Sequence, residues 1–358
     1  MAATTPPLRQ DSPAITCVKK LAETPNLNSI PSNYTYYTTP TEATASDPDD
    51  SIPTIDLSLL TSDDPDEKSK AVQELGKACQ DWGFFTIVNH GIPEELMKAT
   101  LEATDRFFNL PEEEKPEFEP KNVLEPIRYG TSCNSAKEKV FCWRDFLKVF
   151  VHPEFHCPEK PESLRELLPE YCERTRDVVR KLLKGISESL GLEEGEIEKA
   201  VDLQRSLQIY AANYYPRCPN PNVAVGMVPH SDHGLLTILI QNGVGGLQIQ
   251  HQGKWVNVNA PSNSILVNTG DHLEIVSNGK YKSVLHRAVV NNEKTRISIA
   301  MANGPSLETV VCPASQLMRN EGGMRSYIPM KYKDYLLSHQ GSQLNGKAML
   351  KRVQIQDY

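Results

Sequence analysis

A dense series of short strand-like segments in the second half of the chain constrains the fold more than any other feature. Short apolar and β-branched runs there alternate with Pro, Gly and Asn. The predicted strands are Leu207–Tyr215, Leu235–Ile240, Leu247–Gln250, Trp255–Val258, Ser264–Asn268, His272–Val276, Val284–Val290, Ile297–Ala302 and Thr309–Val311. Many short strands at short intervals are typical of a β-barrel or a β-sandwich.

The first half of the chain mixes helices with two early strands. Residues 1–50 are rich in Pro, Ser, Thr and Asn, which predicts an extended arm with one helical turn near residues 18–23. Apolar spacing then predicts the strand Ile52–Leu57, the helix Glu67–Trp82, the strand Gly83–Val88, the helix Glu94–Asn109 and one or two helices in Ser163–Leu190. No linker separates a second core, so we expect one α+β domain.

Composition excludes several classes of protein. The 358 residues are 39% hydrophobic and 23% charged, so the chain can bury a large core. No apolar stretch approaches the roughly 20 residues that cross a bilayer. The net charge of -8 comes without a dense Lys/Arg stripe, so we expect no nucleic-acid partner. Eight scattered cysteines and a polar, proline-rich start predict reduced thiols and a cytosolic protein.

The segment Val228-Pro-His-Ser-Asp-His-Gly carries the strongest chemical signal. In an extended segment His230 and Asp232 point to the same face, so an imidazole and a carboxylate can share one metal ion. His286 lies in another strand-like run and offers a second imidazole. Two His and one carboxylate leave coordination positions open and form the ligand set of non-haem Fe(II) in oxygen chemistry. A single His-x-Asp pattern, by contrast, is more often structural.

Two further strand segments predict a site for an anionic ligand. Arg296 and Ser298 share a strand face, and a guanidinium beside a hydroxyl suits a carboxylate. Asn213 and Tyr215 share another face, where a phenol can donate to a ligand oxygen. The alternatives are a surface arginine and a core tyrosine.

Together these residues resemble the plant 2-oxoglutarate- and Fe(II)-dependent dioxygenases. The resemblance runs from Ile52 to about Leu337, and its motifs occur in order along the chain. They are Trp82-Gly-Phe-Phe, Val88-Asn-His-Gly91, Asn213-x-Tyr215, His230-x-Asp232, Gly246-Leu-Gln, Asn268-x-Gly-Asp271, His286 and Arg296-x-Ser298.

The resemblance implies a fold and a ligand set. The fold is α+β, with a double-stranded β-helix (jelly-roll) core and flanking helices. Residues 1–50 are then an extended N-terminal arm, 51–205 a helix-rich region packing on the core, 206–312 the catalytic jelly roll and 313–358 a helical tail. The implied iron ligands are His230, Asp232 and His286. The implied 2-oxoglutarate contacts are Arg296, Ser298, Tyr215 and Asn213.

The same resemblance implies the chemistry. Fe(II), 2-oxoglutarate and O2 would oxidise a C–H bond of a bulky plant specialised metabolite, with hydroxylation as the default outcome and succinate and CO2 as by-products. Ascorbate is a candidate reductant, and we expect a monomer acting on a small molecule. Desaturation, demethylation and ring formation share the first hydrogen abstraction and stay open as outcomes. A catalytically silent ligand-binding protein is the alternative from another class.

Substrate contacts are predicted from the segments that vary within the family. The candidates are Arg128, Tyr129, Phe141, Trp143, Phe146 and Ala302. A small residue at Ala302 predicts a wide cavity, and Ala211 stands where some flavonoid-oxidising relatives carry a lysine. The aromatic candidates suit core packing equally well. His233, next to the predicted ligands, is expected to point to the opposite face and to have no catalytic role.

Overall fold

Helices and strands alternate in the first half of the chain and strands dominate the second half of the computed structural model. The structure describes residues 17–37, 51–118, 122–132, 138–261, 263–320, 324–340 and 346–355. The helices in these ranges are α1 (Val18–Ala22), α2 (Pro65–Asp81), α3 (Glu94–Phe108), α4 (Glu162–Ser189), α5 (Glu196–Ala200), α6 (Asp271–Val276), α7 (Ser315–Asn320), α8 (Tyr332–Gln340) and α9 (Ala348–Val353).

The strands form two larger sheets and one small one. They are β1 (Thr54–Asp56), β2 (Phe84–Val88), β3 (Ile127–Thr131), β4 (Asp145–His152), β5 (Gln208–Tyr215), β6 (Met227–His230), β7 (Leu236–Gln241), β8 (Leu247–His251), β9 (Lys254–Asn257), β10 (Ile265–Thr269), β11 (His286–Ala288), β12 (Arg296–Asn303), β13 (Val310–Val311) and β14 (Met330–Lys331). The large sheet has the order β1-β2-β10-β7-β12-β5-β4-β3, and the second has the order β6-β11-β8-β9. Side chains from both line one cavity, as the predicted jelly roll requires.

The helices α2, α3 and α4 cover the outer face of the large sheet. Along α4 the buried residues Leu164, Leu168, Tyr171 and Leu182 recur at helical spacing and join the main core. On β5, Tyr210 points to this core, and its hydroxyl lies 2.5 Å from Thr104 Oγ1 on α3. Because alternate strand residues point to opposite faces, the neighbours of Tyr210 are left to line the cavity.

Several predicted elements are confirmed, and one is wrong. A helix occurs at Val18–Ala22, within the segment expected to form a helical turn, and a single helix spans Glu162–Ser189. The run His272–Val276, predicted as a strand, belongs to α6. His272, Leu273, Glu274 and Ile275 alternate between polar and apolar side chains, as in a strand, yet all six residues of α6 are buried. Over so short a segment, periodicity does not distinguish a buried helix from a strand.

Sequence reasoning missed the strands β3 and β4. They pair with each other, and β4 also pairs with β5, so they extend the large sheet at one edge. The run Asp145-Phe-Leu-Lys-Val-Phe-Val-His is rich in aromatic and β-branched residues and was the available signal. With β1 and β2, four strands of this sheet come from residues 51–205. The division of the chain at residue 206 stays a prediction.

The helix α1 is attached to this sheet edge through Asp145 at the start of β4. The buried Asp145 carboxylate accepts hydrogen bonds from the backbone N–H groups of Val18 (2.8 Å) and Lys19 (2.7 Å) and from the Cys17 thiol (3.1 Å). Burial raises the pKa of Asp145, and these hydrogen bonds oppose the shift. The N-terminal segment is therefore tied to the strand that carries part of the cavity wall.

Candidate active site

The three predicted metal ligands meet at the edge where β6 and β11 pair. His230 is the last residue of β6, and the antiparallel register places it directly opposite His286 at the start of β11. Asp232 follows β6 by two residues. The ligand atoms of His230, Asp232 and His286 all lie within 4.8 Å of one another. Two residues far apart in the sequence are thus brought together by backbone pairing.

The two imidazoles present the same nitrogen to the centre of this cluster. Nδ1 of His230 lies 2.9 Å from the Val228 carbonyl, and Nδ1 of His286 lies 3.2 Å from the Val284 carbonyl. Because a carbonyl only accepts, each Nδ1 is the protonated nitrogen, and Nε2 keeps its lone pair. The Nε2 atoms lie 3.7 Å (His230) and 3.6 Å (His286) from Oδ1 of Asp232.

The Asp232 carboxylate is oriented by two donors on the large sheet. Oδ2 accepts hydrogen bonds from Oγ1 of Thr237 (2.6 Å) and from Nδ2 of Asn268 (2.8 Å). This leaves Oδ1 facing the imidazoles. Burial by itself raises the pKa of Asp232, but His286, His230 and the two hydrogen bonds outweigh it and the net shift is downward. Burial and the neighbouring His286 lower the pKa of His230 to about 3. The cluster is therefore an ionised carboxylate beside a neutral His230 imidazole.

Arg296 occupies a buried position on β12 in the same cavity. Its side chain is 2% exposed, its Nη2 donates to Oε1 of Gln241 at 3.0 Å, and its Nε has no hydrogen-bond partner in the described part of the chain. The guanidinium lies 5.0 Å from the ring centre of Tyr215, its direct partner on β5. Burial lowers the pKa of Arg296, and Tyr215 opposes the shift. A buried cation with an unused donor fits a carboxylate ligand.

Ser298 and Asn213 form the next pair along the same two strands. They are directly opposed in the register of β12 and β5, and both line the cavity. Oδ1 of Asn213 accepts a hydrogen bond from Nη1 of Arg144 at 2.9 Å. Asn213 is therefore already engaged through its carbonyl oxygen with a protein cation.

The cavity enclosed by these groups has a volume of about 240 Å³. Of the residues predicted to contact substrate, Arg128, Phe146 and Ala302 line it. Ala211 and Ala300 also line it and, like Ala302, are partly exposed. The small side chains of these three alanines leave open space above the large sheet, which forms the floor of the cavity at this point.

Three predicted substrate residues lie outside the cavity, which corrects the sequence interpretation. Tyr129 alternates with Arg128 on β3 and points to the opposite face, where it packs edge-on against Phe107. Trp143 is fully buried in a separate apolar cluster, and its Nε1 donates to the Pro216 carbonyl at 3.2 Å. Phe141 packs against Tyr34 in that cluster. These rings are core residues that attach the N-terminal segment.

Other residues of the cavity wall were missed or misplaced by sequence reasoning. His233 was expected to point away but lines the cavity, with Nδ1 2.8 Å from the Tyr332 hydroxyl. Phe84 was not among the predicted substrate contacts, yet it lines the cavity with its ring 5.3 Å from that of His286. Further wall residues without a sequence signal are Arg144, Lys148, Arg287, His339 and Gln340.

The chemistry of this donor set fits an Fe(II) ion and an anionic co-substrate. Two imidazoles with available Nε2 atoms and one ionised carboxylate form the facial ligand set of non-haem iron. The buried Arg296, with an unpartnered Nε, lies in the same cavity and forms no ion pair with any described residue. The cavity therefore combines a corner that suits a metal ion with a corner that suits a carboxylate.

Comparison with known proteins identifies the class to which this site belongs. Residues 206–305 match the 2OG-Fe(II) oxygenase superfamily, and residues 52–171 match the family described as non-haem dioxygenase in morphine synthesis N-terminal. The chain is 46% identical over 309 residues to 2-oxoglutarate-dependent dioxygenase 19 of Oryza sativa subsp. japonica, covering 86% of this chain and 91% of that protein. It is 38% identical over 289 residues to Flavanone 3-dioxygenase 2 of the same organism, covering 79% and 80%.

A solved structure shows the same architecture. The crystal structure of JOX2 in complex with 2OG, Fe and JA matches with a TM-score of 0.85 at 31% identity, covering 96% of this chain and 98% of that one. The chain belongs to the plant 2-oxoglutarate- and Fe(II)-dependent dioxygenases. It is an oxidoreductase that uses Fe(II), 2-oxoglutarate and O2 on a small-molecule substrate. Among the described residues, no helix is both long and apolar enough to span a membrane.

Proposed function

We propose that His230, Asp232 and His286 bind the Fe(II) ion of this dioxygenase. The single observation that supports this most strongly is the convergence of one ligand atom from each of the three residues within 4.8 Å. Each imidazole is oriented by a backbone carbonyl, and the carboxylate by two side-chain donors. Such outer contacts hold metal ligands in place before the ion arrives.

We propose that the opposite corner of the cavity binds the far carboxylate of 2-oxoglutarate. Arg296 supplies a buried cation with an unpartnered Nε, and Ser298 lies two residues along the same strand. Tyr215 lies under the guanidinium and supports its orientation. The side-chain carbonyl oxygen of Asn213 accepts a hydrogen bond from Arg144, so Asn213 contributes by holding the Arg144 guanidinium at the cavity wall.

The reaction we propose is hydroxylation of a C–H bond in a plant specialised metabolite. When bound, Fe(II), 2-oxoglutarate and O2 supply oxidative decarboxylation to succinate and CO2, with one oxygen atom entering succinate and the other entering the product. The chain itself binds and orients the reactants and shields them in a buried cavity. The name of Flavanone 3-dioxygenase 2, a relative at 38% identity, supports a substrate of this general class.

The cavity floor supports a substrate with a broad, flat body. Ala211, Ala300 and Ala302 are exposed to the cavity and carry only methyl groups. Phe146 flanks this floor on β4, directly opposite Asn213 in the register. The apolar part of a substrate can therefore pack against the sheet between the proposed metal site and the β3 edge.

The experiment that tests this function measures succinate release by the purified protein. Protein with Fe(II), 2-oxoglutarate and O2 is incubated with and without a plant metabolite extract, and ascorbate is added as the proposed reductant. We expect the extract to accelerate succinate release and one compound to gain a single oxygen by mass spectrometry. A loss of two hydrogens or of a methylene indicates desaturation or demethylation instead. Absence of any succinate in all mixtures would overturn the assignment and favour a ligand-binding protein.

We further propose that the enzyme acts as a cytosolic monomer without nucleic-acid partners. The net charge of -8 and the lack of a dense basic stripe in the sequence support the part of this proposal that concerns nucleic acid. Sedimentation of the purified protein at micromolar concentration tests the monomeric state, and a dimer mass would contradict it.

A further inference from the structure

Arg128 on β3 is a second buried guanidinium with unused hydrogen-bonding capacity in the cavity wall. The residue is 6% exposed, and its Nη1 donates to Oε1 of Gln340 at 2.9 Å. Its Nε and Nη2 are buried and have no hydrogen-bond partner among the described residues. A buried donor without an acceptor costs free energy, and an arginine cannot lose its proton to avoid that cost. Among the described residues, these two donors are therefore available to an acceptor supplied by a ligand.

No acidic side chain in the described part of the chain neutralises this cation at close range. Within the described ranges Arg128 forms no ion pair with an Asp or Glu. Burial lowers the pKa of Arg128 to about 10, and Glu125 opposes this shift from a distance. Lys148, the direct partner of Arg128 in the register of β3 and β4, also lines the cavity. This edge of the cavity thus carries two cationic side chains and attracts an anion.

The position of Arg128 separates it from the proposed 2-oxoglutarate corner. Strand pairing places Arg128, Lys148, Ala211 and Ala300 in one row across β3, β4, β5 and β12. Three strand spacings separate Arg128 from Ala300, a distance of about 14 Å. Ser298 lies two residues further along β12. Beyond Lys148 this row contains only the methyl groups of Ala211 and Ala300, and Arg296 lies four residues from Ala300 on β12.

We propose that the substrate oxidised by this enzyme is a carboxylic acid whose carboxylate binds Arg128. Nε and Nη2 lie on one edge of the planar guanidinium and form a two-donor fork that matches the two oxygens of a carboxylate. Lys148 adds positive charge, and the apolar body of the acid lies over Ala211 and Ala300. This inference rests on the proposed function, because it assumes that Arg296 is occupied by 2-oxoglutarate.

The test compares acids with their uncharged amides. The protein is loaded with Mn(II), which prevents turnover, and saturated with 2-oxoglutarate, which blocks the Arg296 corner. Benzoate, phenylacetate, 3-phenylpropanoate and cinnamate, each paired with its primary amide, are titrated by calorimetry. We expect at least one acid to bind at least tenfold more tightly than its amide. Arg128→Gln should remove this preference, and Arg205→Gln, the same change at an exposed arginine, should retain it.

A second variant keeps the inference testable if Arg128→Gln does not fold. Arg128→Lys keeps the charge and loses the fork, so most of the preference for acids should disappear. The inference is overturned if no acid binds more tightly than its amide, or if the preference survives Arg128→Gln. Titration of 2-oxoglutarate into the Mn(II)-loaded wild type distinguishes a failure of the proposed function from a failure of the inference about Arg128. Failure of that titration refutes the proposed function, whereas normal 2-oxoglutarate binding without acid preference refutes only the role of Arg128.

Discussion

His286 and His230 are direct partners across the antiparallel strands β11 and β6, and their ring centres lie 4.1 Å apart. The backbone register therefore sets the separation of the two imidazoles before any ion binds. Asp232 completes the cluster from just beyond the end of β6, and it is held by side chains of the large sheet. The proposed iron site thus depends on contacts between both sheets.

Replacing Asp232 by Ala should abolish substrate oxidation and leave the fold intact. The change removes the only carboxylate of the metal cluster described above, while the Asp232 side chain is 20% exposed and belongs to no apolar core cluster. Turnover measured beside circular dichroism checks this expectation, and Mn(II) titration should show weakened metal binding. Wild-type turnover in iron-controlled buffer would remove Asp232 from the ligand set.

Replacing Thr237 by Val should weaken metal binding without removing a ligand. Valine keeps the shape of threonine and loses the hydroxyl that donates to Oδ2 of Asp232 at 2.6 Å. Loss of such an outer contact reduces metal affinity by about 10–100-fold. Thr237→Ser is the matched control, because it keeps the hydroxyl and should stay close to wild type. Equal Mn(II) affinity in the valine variant and wild type would show that Asn268 alone orients the carboxylate.

Replacing Arg296 by Lys should raise the Michaelis constant for 2-oxoglutarate. Lysine keeps the charge and loses the planar fork, so at least one charge-assisted hydrogen bond disappears, which corresponds to about tenfold or more in binding. The measurement is the 2-oxoglutarate dependence of turnover at saturating substrate. The Michaelis constant of the organic substrate should change less. An unchanged 2-oxoglutarate dependence would make Arg296 a structural arginine.

Replacing Ala302 by Phe should obstruct the substrate and spare the cofactors. Ala302 lines the cavity and lies opposite Thr237 and Ile209 in the strand register, away from the Arg296 end of β12. We expect succinate formation uncoupled from substrate oxidation to persist while product formation falls.

Thermal melting distinguishes a filled cavity from an overpacked core. Ala212→Phe is the contrasting variant, because Ala212 is fully buried in the main core and a ring there should cost about 1–3 kcal/mol of stability. A lowered melting temperature for Ala302→Phe, with both activities falling together, would contradict its place in the cavity wall.

The sequence alone was sufficient for the strongest parts of the candidate site. Arg296 and Ser298 are two residues apart within β12, so strand alternation places them on one face. His230 and Asp232 show the same spacing, but Asp232 lies beyond the end of β6, so its place in the cluster also depends on its hydrogen bonds to Thr237 and Asn268. The capacity of imidazole and carboxylate groups to bind a metal ion, and of a guanidinium to bind a carboxylate, also follows from the residue type alone. Their order matched a known family, which supplied the jelly-roll fold and the pairing with His286.

The cavity wall was decided only by the tertiary structure. Phe146 and Trp143 look alike in the sequence, yet one lines the cavity and the other is buried in the cluster that holds the N-terminal segment. Gln340 and His339 reach the site only because α8 packs across one end of the cavity. Local periodicity determines which residues share a face. Long-range strand register and helix packing determine whether that face lines a cavity or packs in a core. Neither is encoded within a few neighbouring residues.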